Sequence, residues 1–471
     1  MKMKFRNSYV AVLLVVLLII GLTAVRAQNK YGLSDSHGRI MNSVDWFKCG
    51  LDIRFRHEEI VNPSLTNVDP PGYSFSFERV RLREWNTISP NQWFEFNLRF
   101  AWEGRHYWKP ASKAEWDKSE IVFDNFNGKF KFQNIPVALI VGRQDISFGD
   151  GWLVFDGTPL DGPRTSYFDA IRATIDLKEL KSVIDLIYVD QTSSSESRLR
   201  PIFSKNLSPM EQNERGVIIN FCSKALERTL IEPYFIFKHN EAVLPKGDNG
   251  DIYTIGSRFS YDWDSCISYQ MEPAYQFGSR INEVMFPNQR SSLSAFGINS
   301  RITYSFPGLL KNQVWLGYSV LSGNDAESHD NHQFDPLWGR WAQYSELFPN
   351  ELDRPGERSN LQRINFGYLL EPNNSIHIQA NYNALFAYAN RFYGTAGFSN
   401  GGKFKGHLFT ALLKYQYNRC WSGLLLGEYF IPGNYYETPS YGNMLKTRND
   451  NALFLRAQII FNLQDMLAGK K

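Results

Sequence analysis

Residues 141–175 read VGRQDISFGDGWLVFDGTPLDGPRTSYFDAIRATI, and the rest of the chain falls into place around them. A strand-like run ends at Val141-Gly142-Arg143-Gln144. A loop rich in Gly, Asp and Pro extends from Phe148 to Arg164, and an alternating run returns from Tyr167 to Thr174. Apolar and polar residues in strict alternation have the two-residue period of a half-buried strand, and Gly and Pro clusters mark where it stops. The stretch therefore reads as a hairpin with a long loop, not as a catalytic motif.

The same unit repeats in both directions. Runs of about Cys49 to Glu58, Phe75 to Ile88, Gln92 to Glu103 and Glu120 to Phe132 come before it, and the series closes with Trp421 to Ile431 and Ala452 to Leu463. Short turns such as Ser89-Pro90-Asn91, Asp264-Ser265 and Asn418-Arg419-Cys420 alternate with long loops, the longest running from about Ser322 to Ser359. The total is about 18 strands of about 9 to 14 residues, a length that suits tilted strands crossing a bilayer. Segregation of long loops to one end has no basis in a sandwich but is the habit of outer-membrane barrels. The expected fold is all-β, a transmembrane antiparallel barrel with short periplasmic turns and long extracellular loops. It occupies residues 28–471 as a single domain.

Residues 1–27 read as an export signal. Lys2, Lys4 and Arg6 form a basic start, an apolar run extends from Tyr9 to Thr23, and Val25-Arg26-Ala27 is a cleavage site. The apolar run is shorter than the roughly 20 residues a spanning helix needs. The whole chain has 51 Lys and Arg against 48 Asp and Glu. Loss of Lys2, Lys4, Arg6 and Arg26 leaves a mature charge of about −1, so no nucleic-acid partner is implied. Aromatic residues at 15% of the chain fit girdles at two membrane interfaces, which makes outer-membrane lipid the expected surroundings. Cys49, Cys222, Cys266 and Cys420 form no CxxC pair and have no His close enough for a zinc site; an oxidising periplasm permits disulfides, but three of the four fall at turns on one side, which favours free thiols. No GxSxG, HExxH or P-loop is present, so neither an enzyme nor a cofactor is expected.

The candidate functional residues lie on strands. In Phe77-Glu78-Arg79-Val80-Arg81-Leu82-Arg83 the period of two puts Arg79, Arg81 and Arg83 on one face. An arginine facing lipid at mid-membrane costs about 2–4 kcal/mol, so this row is expected to point into the lumen. There it either selects anions or pairs with wall carboxylates and braces the barrel. Arg54 shares a face with Arg56, Arg172 lies among apolar neighbours, and Glu120 and Asp124 share a face of the fourth strand.

GRQ at 142–144, the Gly/Asp/Trp loop, FDAIR at 168–172, RSNLQ at 358–362 and FIPGNY at 430–435 together resemble the alginate export family. That family consists of outer-membrane β-barrels that pass acidic polysaccharide. The resemblance implies an arginine-rich constriction with acidic neighbours. It puts Arg54, Arg83 and Arg143 at basic positions and Glu120 at an acidic one, with Arg354 as a further match whose spacing Pro355 shifts. Leu424 and Leu426 stand where the family carries two pore arginines, and Lys118 with Ser119 replaces the basic residue before Glu120.

The expected lining is therefore basic at Arg54, Arg79, Arg81, Arg83, Arg143 and Arg172 and acidic at Glu120 and Asp124. The expected activity is a porin-type channel for passive export or diffusion of an anionic solute, with an acidic polysaccharide such as alginate or a small anion as partner. A nutrient-uptake porin and a non-conducting glycan-binding barrel stay open. Periplasmic partners in synthesis or secretion are not specified. The aromatic loop from Gly323 to Arg358 folds over the mouth, or binds sugar rings by stacking, or is an ordinary surface loop.

Overall fold

Alternation along the chain becomes strands wherever it was read, with boundaries shifted by a few residues. They are β1 (Phe47–Val61), β2 (Ser74–Ile88), β3 (Phe94–Lys109), β4 (Asp117–Lys131), β5 (Val137–Gln144) and β6 (Phe168–Leu177). Then come β7 (Ser182–Gln191), β8 (Asn213–Ser223), β9 (Thr229–Glu241), β10 (Asn249–Asp262), β11 (Ile267–Ile281) and β12 (Arg290–Ser305). The last six are β13 (Lys311–Leu321), β14 (Leu361–Asn373), β15 (Ile376–Phe386), β16 (Phe404–Gln416), β17 (Trp421–Pro432) and β18 (Ala452–Asn462). The structure is a computed structural model. It describes residues 46–62, 74–110, 117–155, 167–193, 199, 201–202, 212–243, 248–281, 289–308, 310–324, 330–339, 344–347, 359–390, 401–436 and 450–463, with backbone alone at 117–120 and 436. The expected signal, residues 1–27, lies outside them.

Each strand pairs antiparallel with its neighbours in sequence, and β1 also pairs with β18, from Asp52 opposite Asn462 to Val61 opposite Leu453. The sheet is thus a closed barrel of 18 strands. Closure follows from the solvent: hydrocarbon offers no partner for the N–H and C=O groups of an open edge. Short turns lie on the side of both barrel termini. Three of them use the same device, a side-chain oxygen that accepts two backbone N–H groups. Asn91 accepts from Trp93 and Phe94, Asp264 from Cys266 and Ile267, and Asn418 from Cys420 and Trp421. The two donors hold the exposed Asp264 carboxyl below the usual carboxylate range. All four cysteines carry free thiols.

The register sorts side chains onto two faces. Phe55 opposes Ile459 on the outside, with Leu455, Leu425, Phe409 and Ile364 also exposed. Trp46, Trp93, Trp263 and Trp421 are exposed at the short-turn end, where an interfacial girdle belongs. Arg54 and Arg56, which flank Phe55, are buried on the other face. Phe55→Arg is expected to destabilise the barrel by about 2–4 kcal/mol in urea titrations in lipid vesicles. An unchanged midpoint would mean that this face does not meet hydrocarbon.

The lumen is partly filled. Ile146, Leu153 and Val154 from the loop after β5, and Phe334, Leu337 and Trp338 from the loop after β13, pack on inward-facing Ile187, Val189, Ile218, Ile236 and Ile252. The two loop segments hold each other as well. Val154 and Trp338 form a parallel bridge, Trp338 N donates to the Leu153 carbonyl at 3.0 Å, and the rings of Trp152 and Phe334 stack at 5.4 Å. A Cβ at Gly339 would lie 1.9 Å from the Trp152 carbonyl oxygen, so only glycine allows this approach. The described part of the long loop is therefore neither a surface loop nor a platform offering Phe334 and Trp338 to sugars, since both rings are buried in the plug.

Candidate channel lining

Inward positions of β1 from the short-turn end are Asp52, Arg54, Arg56 and Glu58, one acid at each end of two arginines. The register sets Arg83 opposite Asp52, Arg81 opposite Arg54 and Arg79 opposite Arg56. Arginine facing arginine is unfavourable by itself, and the carboxylates on the diagonals relieve it. Glu58 binds Arg79 at 3.0 Å and accepts from Arg456 Nε of β18 at 2.7 Å. Glu103 of β3 binds Arg79 at 2.7 Å and Arg54 at 2.9 Å. Asp52 binds Arg81 at 3.2 Å and accepts from Arg83 Nε at 2.8 Å. The ladder expected at Arg54, Arg79, Arg81 and Arg83 is thus held in two neighbouring ion-pair clusters on four strands, one on Glu58 and Glu103 and the other on Asp52.

Further ion pairs follow round the wall. Arg99 Nε of β3 donates to Asp124 at 2.7 Å, and its two Nη groups donate to Asp145 at 2.8 Å each. Asp124 sits where the β3–β4 register shifts, between Asn125 opposite Arg99 and Phe123 opposite Phe100, and the bulge turns its carboxylate toward Arg99. Asp145 follows Gln144, the last residue of β5, and turns toward Arg99 where the strand ends. Glu120 lies opposite Glu103 in the backbone register, and its side chain is outside the described residues. Arg172 of β6 donates to Asp185 of β7 at 2.8 Å and lies over the Phe148 ring.

Arg143 is placed differently from the expected lining. It shares the parity of exposed Val141, and its partner Asp169 shares that of exposed Ile171. β5 is 8 residues long beside the 15 of β4, and the Arg143 guanidinium fills the seam this leaves. It makes a bidentate pair with Asp169 at 2.7 and 2.8 Å and donates to the Phe123 carbonyl at 2.8 Å, with the Tyr167 ring at 3.7 Å. GRQ and FDAIR therefore meet in one structural contact that ties β4, β5 and β6. Arg143 is a wall residue and not a rung of the ladder.

Glu58, Glu103, Asp145 and Arg456 were absent from the expected set. Glu58 was legible because it sits two residues from Arg56, and Arg456 because it alternates with Leu453, Leu455, Ala457 and Ile459 on the apolar face of β18. Glu103 and Asp145 pair across strands, which period alone does not show. Leu424 and Leu426 face inward as well, and Leu426 packs in an apolar cluster with Leu408, Phe430 and Phe454. That cluster includes Leu347 of the long loop, and Glu428 beside it accepts from Ser345 Oγ at 2.6 Å.

In several wall-to-wall pairs the guanidinium is the partner nearer water. Arg99 is 17% exposed against 1% for Asp124, and Arg172 is 23% exposed against 7% for Asp185. Arg83 with Asp52 and Arg258 with Glu232 follow the same order. The order is reversed in the wall pairs of Arg54 with Glu103, Arg81 with Asp52 and Arg143 with Asp169, and for the loop carboxylates Asp145 and Glu346, each more exposed than the arginine it meets. Among the described residues no group of His, Cys, Asp and Glu is arranged to hold a metal.

A closed 18-stranded barrel with apolar residues outside and paired charges inside defines an outer-membrane β-barrel channel of porin type. The chain belongs to the alginate export family, whose model, described as alginate export, matches residues 45–443. It resembles the crystal structure of OccAB2 from Acinetobacter baumannii with a TM-score of 0.55 at 11% identity, covering 88% of this chain and 98% of that one. OccK5 (OpdH) from Pseudomonas aeruginosa gives 0.53 at 9% identity, covering 89% and 98%. OccD3 (OpdP) from the same species gives 0.51 at 11%, covering 88% and 91%. These likenesses are of fold. No curated protein matches the chain.

Proposed function

We propose that this channel passes anionic solutes by diffusion across the outer membrane. One observation carries the reading. In the pairs of Arg99 with Asp124, Arg172 with Asp185 and Arg258 with Glu232 the carboxylate lies behind and the guanidinium faces the water, which favours a positive potential along that part of the lumen although the pairs are formally neutral. Weak contacts repeated along the wall lower the barrier without trapping the solute. Family membership favours an acidic polysaccharide such as alginate as the cargo. A second reading, uptake of small organic acids, is favoured by the two loop segments packed inside the barrel, which leave less room for a polymer.

Reversal potentials in planar bilayers under a KCl gradient test the shared claim. The protein is expected to prefer chloride, and Arg83→Gln combined with Arg172→Gln should lower the chloride-to-potassium permeability ratio by roughly half. A wild-type channel without anion preference would overturn the proposal. Polymannuronate and acetate fluxes in liposomes then separate the two cargo classes, since only the first reading expects the polymer to cross.

A further inference from the structure

Two inward-facing arginines on the wall of β12–β14 differ from those of the ladder. Among the described residues, neither Arg301 nor Arg363 meets a carboxylate. Arg363 donates to Asn383 Oδ1 and to Ser319 Oγ, both at 3.2 Å, lies 4.5 Å from the centre of the Tyr344 ring, and has no acceptor for its Nε. Arg301 donates to Gln270 Oε1 at 3.0 Å and also has an unmatched Nε. A carboxylate, Asp150, is reached only through the other end of Gln270.

The register brings these groups into three successive inward rows. Ser319 lies opposite Arg363 in the first, Gly317 lies between Arg301 and Asn365 in the second, and Trp315 lies between Thr303 and Gly367 in the third. Inward residues on one strand repeat about every 7 Å, so the rows span about 14 Å of the lumen. Gly317 puts no side chain between Arg301 and Asn365. The Trp315 indole is held flat on the wall: its Nε1 donates to Asn365 Oδ1 at 2.7 Å, and a Cβ at Gly367 would lie 2.0 Å from its Cε2. In the strand order this patch faces β3–β5, with Arg99 and Asp124, across the barrel.

A half-buried guanidinium without a counter-charge is costly, and a carboxylate is the partner its planar fork fits best. An indole laid along a wall offers a flat apolar face to a ring. We propose that Arg301, Arg363 and Trp315 form a second solute station that takes a sugar acid, its carboxylate on the two guanidiniums and its ring face along the indole. The inference rests on the reading that the cargo is anionic and adds where and how it is held. Among the described residues the station brings no carboxylate of its own, so a solute need not displace an internal partner there to enter.

Single-channel recordings with glucuronate as probe and glucose as neutral control test it. Glucuronate should interrupt the wild-type current and glucose should not. Arg301→Gln and Arg363→Gln should raise the half-blocking glucuronate concentration about fivefold or more. Trp315→Leu keeps both charges, so it should weaken glucuronate block while leaving the chloride reversal potential unchanged. It also serves if an arginine variant fails to assemble. Glucuronate block of equal strength in the wild type and all three variants would overturn the station while leaving the anion reading intact. A wild-type channel without anion preference would overturn both.

Discussion

Glu58→Ala is expected to destabilise the assembled barrel by about 3–5 kcal/mol, the cost typical of removing one partner from a buried ion pair. The carboxylate is buried and is the meeting point of Arg79 at 3.0 Å, Arg456 and, at 3.7 Å, Arg56. Its loss leaves three guanidiniums of β18, β1 and β2 crowded together at the junction that closes the barrel. The variant should show a lower urea midpoint in lipid vesicles and a lower temperature for loss of the compact gel mobility of a folded barrel. Glu58→Gln, which preserves shape but not charge, should recover only part of the loss. A midpoint within experimental error of the wild type would mean that the network is ornamental to closure.

The second large effect is expected in conductance. Phe334→Ser together with Trp338→Ser should loosen the plug and raise single-channel conductance on the order of twofold or more, because an 18-stranded barrel has an aqueous lumen unless loops fill it. Phe334 stacks on Trp152, and Trp338 packs among inward-facing wall residues while its Nε1 donates to Glu214 at 2.8 Å. Removal of either ring forfeits about 3–5 kcal/mol of packing, more than a loop held by a few backbone hydrogen bonds is expected to absorb. The wall itself does not depend on these rings, since every strand keeps both neighbours. Stability of the barrel should therefore change far less than conductance, and unchanged conductance would show that solute does not pass beside the plug.

The apolar inner wall where the plug sits explains why the plug was not legible. Ile187, Ile218, Ile236 and Ile252 alternate with outward residues that are also apolar, such as Leu186, Ile219, Phe237 and Tyr253. A strand apolar on both faces is buried on both faces, and this pattern marks β7–β10 without saying what fills the inside. The filling comes from segments nearly 200 residues apart in sequence that meet through Val154 and Trp338, and neither loop has a period that records its destination.

The arginine ladder shows the opposite balance. Asp52, Arg54, Arg56 and Glu58 on one strand and Arg79, Arg81 and Arg83 on the next share a face by period alone, and the energetic penalty of arginine in lipid points that face inward. Arg143, placed in the lining by the family resemblance, lies along the wall instead, because it stands beside the positive-φ Gly142 near the end of a short strand. Asp124 required a bulge to reach Arg99, and a bulge is a mismatch between two strands that neither strand carries alone.

By itself, the amino-acid sequence determined the number of strands, their direction, which end holds the short turns and which residues of each strand share a face. All of these follow from local period and turn chemistry. Tertiary structure alone decided which guanidinium meets which carboxylate, which of the two lies nearer water, and how much of the lumen the loops occupy. Those outcomes depend on register between strands and on contacts between distant loops, and such energies exist only once the sheet has closed.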